Sequence, residues 1–191
     1  MKVLAIIGSP SKGHTFHIVQ QIEHRLALNN DLLFEYIFLG QLNLQPCRGD
    51  YVCQSRGEQY CPIKDELSML VQKMREVDGV IFASPVYTAN VSALVKNLMD
   101  RIAYFAHRPA FLGKAAMLVT TASSGTKDTL KALAWFGYTG FEIVASLGIP
   151  VWPSLHIAWK GGKAVDRKIE RAVRRFEHAL NYFSIQEGSY G

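Results

Sequence analysis

Ser9, Ser11, His14 and Thr15 follow directly on the apolar run Ala5-Ile6-Ile7 and are interspersed with Gly8, Pro10 and Gly13. Hydroxyls and small residues between a strand and a helix are what a chain needs to hold an anion. Backbone N–H groups open toward the ligand, and the positive end of the helix dipole favours a phosphate. An ordinary strand-to-helix turn capped by Ser or Thr is the alternative reading. Gly8 to Thr15 also fits G-x-x-x-x-G-K-[ST], except that His14 occupies the lysine position. A mostly neutral imidazole replaces a fixed positive charge poorly. The strand at residues 79–84 does not end in the aspartate that would hold Mg²⁺. The loop therefore reads as a phosphomonoester site rather than a site for a nucleoside triphosphate.

Two further stretches have complementary chemistry. Ser84-Pro85-Val86-Tyr87-Thr88-Ala89-Asn90 combines a turn-fixing proline, an aromatic ring and amides at the start of a helix. Such a loop suits the edge and face of a flat heteroaromatic ring, although Tyr87 read alone is equally a half-buried aromatic tip. Ser123, Ser124 and Gly125 form a third wall of small residues that lets backbone approach closely.

These loops must be positioned by regular elements, and the apolar periodicity supplies them. Strands are expected at residues 3–7, 32–39, 79–83, 115–121 and 142–147. Helices are expected at 14–28, 65–77, 91–107, 127–137 and 164–183, with 40–62 irregular. Strands this apolar need cover on both faces, which predicts a three-layer α/β sandwich around a five-stranded parallel sheet. With strand order 2-1-3-4-5, the loops at 9–15, 84–90 and 121–125 meet at the switch point, where such sheets bind ligands.

A chain of 191 residues with 49% hydrophobic content reads as a single domain, 1–191, with residues 151–191 as a C-terminal segment and basic helix. No apolar run approaches a membrane span and no signal peptide is evident, so a soluble, cytoplasmic, membrane-independent protein is expected. The odd count of three cysteines argues against a disulfide framework. The net charge of +5 is partly concentrated at residues 160–175, which reads as a solvated helix face and not as a nucleic-acid site. Trp135, Trp152 and Trp159 read as core or interface anchors. The six histidines, His156 among them, show no metal-ligand spacing.

Gly8-Ser9-Pro10 with Thr15, followed by Ser84-Pro85-Val86-Tyr87, Leu94-Val95-Lys96-Asn97 and Asp100-Arg101, resembles the NAD(P)H-dependent FMN reductase family of the flavodoxin-like fold. The likeness spans about residues 2–150. It implies an FMN whose phosphate lies on Ser9, Ser11, His14 and Thr15, with Phe16 also among the cofactor-binding residues. It places the ring on Pro85, Val86, Tyr87, Thr88 and Asn90, and Ser123 and Gly125 near the far edge of the flavin. It further implies hydride transfer from NADPH or NADH to flavin, an onward small-molecule acceptor (flavin, quinone, metal or oxygen), and a homodimer or homotetramer. No side chain is then needed as a catalytic acid or base. A flavodoxin-like electron carrier is the alternative, but such proteins are typically strongly acidic. A redox sensor using the cysteine loop is another.

Within the same resemblance, Cys47, Cys53 and Cys61 stand in a loop similar to that of the iron–sulfur flavoprotein subgroup. A fourth cysteine would be needed at Asp50. Four thiolates are the normal cluster set, so no metal is expected, and free or partly buried thiols are the favoured reading over a cluster, zinc or a redox-active pair. For assembly, helix 91–107 should pack Leu94, Leu98, Ile102 and Phe105 on the sheet. Lys96 and Asp100 can pair along it, and the resemblance implies that the face carrying Asp100 and Arg101 lies close to a two-fold interface.

Overall fold

A computed structural model describes residues 1–151 and 162–187. Trp152, His156, Trp159 and Lys160, all singled out above, lie outside the described residues. Strands β1 (Lys2–Ile7), β2 (Leu33–Phe38), β3 (Gly79–Pro85), β4 (Ala115–Ala122) and β5 (Glu142–Pro150) form one parallel sheet in the order β2-β1-β3-β4-β5. This is the expected flavodoxin-like α/β sandwich.

Side-chain alternation divides the core in two. Leu4, Ile6, Val80, Phe82, Ala116 and Leu118 point to one face. There they meet α3 (Leu67–Glu76), α4 (Ala93–Arg101) and α5 (Thr126–Leu133). Val3, Ala5, Ile7, Ile81, Ala83, Met117 and Val119 point to the other, against α1 (His14–Ala27) and α6 (Lys163–Glu187). The three central strands are buried along nearly their whole length, which is why their sequences show no polar alternation. No helix among the described residues is long and apolar enough to cross a membrane.

Helix boundaries depart from the periodicity in several places. The expected helix 91–107 is α4 followed by a 3₁₀ turn, Ala103–Ala106. Ser92 stops it from starting earlier, because its hydroxyl caps the Val95 N–H at 3.3 Å. The helix expected at 127–137 likewise tightens into 3₁₀ over Ala134–Thr139. The stretch 40–62 contains a short helix α2 (Val52–Arg56) and a 3₁₀ turn at Glu58–Tyr60. Leu98, Ile102 and Phe105 are buried as expected, and Trp135 packs on the same core.

Candidate functional site

The site begins where β1 ends. Gly8 donates to the Ala83 carbonyl at 2.7 Å and accepts from the Ser92 hydroxyl at 2.6 Å. A Cβ there would lie 2.1 Å from Val95 Cγ2, so only glycine lets α4 come this close to the loop. The Ser92 N–H also donates to the Ser84 hydroxyl oxygen at 3.0 Å. The first and second loops are thus tied together beneath the ligand position.

Helix α1 opens at His14 with Gly13 in the capping position, no side-chain cap and no acidic residue in its first turn. Its first N–H groups are therefore available to an anion. Thr15, in that turn, meets Thr121 at the end of β4 with their hydroxyl oxygens 2.7 Å apart. The Ser9 hydroxyl accepts from the Ser11 N–H at 3.4 Å.

The second loop is a tight hairpin. Tyr87 and Asn90 exchange two backbone hydrogen bonds of 2.9 and 3.0 Å. Thr88 and Ala89 sit between them at φ +49° and +57°, as a type I′ turn requires. Neither residue is glycine, and a β-branched threonine in this region is strained, a feature that clusters at ligand sites. The Asn90 side chain accepts from the Val91 N–H at 2.8 Å, and Val86 N–H reaches the Thr121 carbonyl at 3.2 Å. Gly125, at φ +77°, caps α5 beside Val86; a Cβ there would stand 3.3 Å from Val86 Cγ1.

Between the three loops lies a cavity of about 990 Å³ lined by Ser9, Ser11, His14, Thr15, Pro85, Val86, Tyr87 and Ser123. Eight of the sequence-predicted residues are thus brought together. Thr88 and Asn90 are exposed on the hairpin tip, and Gly125 backs onto Val86 without lining the cavity. Phe16 is elsewhere: its ring packs against Tyr36 and Phe38, with centroids 5.2 and 5.3 Å away. Lys12 lines the cavity with its ammonium 5.7 Å from both the Phe16 and Phe38 rings.

Sequence reasoning did not assign Thr121, Lys12, or the polar face of α1 formed by His17, Gln21, His24 and Arg25. The α1 face had a signal, since His14, His17, Gln21 and His24 recur at helical spacing. Thr121 fell within the third expected loop, but its pairing with Thr15 left no local trace, because the two are 106 residues apart. Hydroxyl donors, open helix amides and a hairpin platform of Pro85, Val86 and Tyr87 suit a flat ring bearing a phosphate. The residues present therefore fit FMN.

The cysteine loop lies on the α3/α4 side, away from this cavity. Arg101, expected to face a two-fold interface, is instead buried, with its side chain 2% exposed and that of Asp65 0%. Its two terminal nitrogens bind the Asp65 carboxylate at 2.5 and 3.1 Å, and one also donates to the Gln45 carbonyl at 2.7 Å. Burial opposes the charge on Asp65, but the Arg101 hydrogen bonds and the Gln45 and Leu67 N–H groups outweigh it and hold the carboxyl below its ordinary value. Lys96 and Asp100 pair at 2.5 Å on the exposed face, as their spacing implies.

Burial pushes the Cys53 thiol up, and the nearby Cys61 and Cys47 push it further. Asp50, at the position of the missing cysteine, accepts the Val52 N–H at 3.1 Å just ahead of α2, whose capping position is Tyr51. Among the described residues no group of His, Cys, Asp or Glu is arranged to hold a metal ion. The loop does not fit a four-thiolate cluster.

The sequence profile of the family described as NADPH-dependent FMN reductase matches residues 1–148. An iron–sulfur flavoprotein of Methanocaldococcus jannaschii is 41% identical over 53% of this chain and 51% of its own length, so the chain spans about half of that relative. An iron–sulfur flavoprotein of Archaeoglobus fulgidus is 29% identical over 90% of this chain and 76% of its own. Among solved structures, RosB with bound 8-demethyl-8-formylriboflavin-5′-phosphate superposes with a TM-score of 0.76. It covers 96% of this chain and 80% of its own at 14% identity, a likeness of fold.

Proposed function

The chain belongs to the NADPH-dependent FMN reductase family, and on that footing we propose that it binds FMN in the 990 Å³ cavity and passes hydride equivalents from NADPH or NADH through it to a small-molecule acceptor. The observation that carries this reading is the junction of two different subsites. A hydroxyl-lined helix N-terminus and an aromatic, N–H-bearing hairpin share Thr121, through its side chain and its carbonyl respectively.

When bound, the flavin supplies the redox chemistry, and the protein supplies position and electrostatics. Ser9, Ser11 and Thr15, with the first amides of α1, hold the phosphate, and His14 stands beside it. Pro85, Val86 and Tyr87 form the platform beneath the ring. The backbone of the hairpin tip at Thr88 and Ala89 would lie at the ring edge, where fixed dipoles stabilise added negative charge without reorganising. Tyr87 is 49% exposed, which supports a ring position at the protein surface, within reach of a nicotinamide.

Assembly as a homodimer or homotetramer and a cytoplasmic location belong to the same proposal; the three free thiols agree with the latter. The test is to titrate the apo-protein with FMN and then follow oxidation of NADPH and NADH with added FMN or quinone. Quenching of flavin fluorescence and steady turnover are expected. Binding without turnover would favour a one-electron carrier, and absence of binding would refute the assignment.

A further inference from the structure

We propose that Thr121 is the positioning residue of the phosphate site: its hydroxyl donates to Thr15 and so turns the Thr15 proton toward the phosphate. This rests on the FMN reading above. Thr15 and Thr121 are 2% and 4% exposed, and their hydroxyl oxygens stand 2.7 Å apart. At that separation one must donate to the other, and each has a single proton. If Thr15 donated inward, its oxygen would present only lone pairs to a phosphate that offers only acceptors. A bound dianion therefore selects the opposite polarity, with Thr121 donating to Thr15 and Thr15 donating outward. The two bonds then point the same way and strengthen one another in a water-poor site.

Backbone geometry holds Thr121 in this role. It lies in β4 in register with Pro85 of β3 and Ile149 of β5, and its carbonyl receives the Val86 N–H. Shifting the residue would move both the phosphate loop and the ring loop. Its neighbour Thr120 is an internal control. That hydroxyl is just as buried but has no partner among the described residues, so it does not orient Thr15.

The experiment is a fluorescence titration of apo-protein with FMN and with riboflavin, which lacks the phosphate. Thr121→Val should bind FMN about five- to tenfold more weakly, as expected for loss of one hydrogen bond, with riboflavin affinity unchanged. Thr121→Ser should restore wild-type FMN affinity, and Thr120→Val should leave it untouched. Should the valine variant fail to fold, Thr121→Ala has the same expectation. An FMN affinity within about twofold of wild type for the hydroxyl-free variants, or an equal loss for both ligands, overturns the proposal. A wild-type protein that binds FMN and riboflavin equally overturns the phosphate reading itself, whatever the variants do.

Discussion

Arg101→Met should lower the unfolding free energy by about 3–5 kcal/mol at neutral pH, the cost of stranding one member of a buried ion pair. Methionine keeps the unbranched bulk, so the change is chiefly electrostatic. In the native protein the Asp65 carboxylate accepts four hydrogen bonds, two from Arg101 and one each from Gln45 N–H at 2.9 Å and Leu67 N–H at 3.2 Å. The variant retains only the two backbone donors and leaves the Gln45 carbonyl without its guanidinium. Urea denaturation across pH gives the value and an internal check on its origin. The native carboxyl titrates below its ordinary 3.8, so its contribution is complete above that pH and is lost as pH falls below it. In the variant, burial without the cation raises the folded value, so acid relieves the penalty. The stability gap should therefore shrink as pH falls from neutral toward 3.8. A gap that is flat with pH, or smaller than about 1 kcal/mol, would refute the buried-pair account. Asp65→Leu combined with Arg101→Met should recover most of the loss, because the apolar pair leaves no charge stranded.

Ser9→Ala with Thr15→Val should weaken FMN binding at least about tenfold in a fluorescence titration, since hydrogen bonds to a charged phosphate are each worth about 1.5–3 kcal/mol. Unchanged affinity would remove the phosphate from this loop. Thr88→Gly should stabilise the apo-protein by about 1 kcal/mol in thermal unfolding by relieving the positive φ at a β-branched residue; destabilisation would show that the threonine side chain makes compensating contacts. Asp50→Cys should take up no more iron and sulfide than wild type on anaerobic reconstitution, because residue 50 is exposed and its side chain is turned to the Val52 N–H. Stoichiometric uptake would show that the loop still has cluster geometry.

Much of the site was legible in local pattern. Ser9, Ser11, His14, Thr15, Pro85, Val86, Tyr87 and Ser123 all follow strands whose unbroken apolar runs announce burial on both faces, and a parallel sheet brings the ends of such strands to one edge. Helix ends were less legible: Ser92 decided where α4 starts through a cap that periodicity does not register. Phe16 was misleading for a related reason. It follows Thr15 in sequence, but at 100° per residue the helix turns it onto the Tyr36 and Phe38 rings. Arg101 read as part of an interface face because its partner Asp65 belongs to another segment 36 residues away.

By itself, then, the sequence determined which loops would meet and what chemistry each would bring, because strand burial and turn composition are local properties. The tertiary structure alone decided the pairings across them. Thr15 with Thr121 and Asp65 with Arg101 are contacts between residues far apart in the chain, and no local pattern encodes which hydroxyl or carboxylate the fold will place within hydrogen-bonding distance of another.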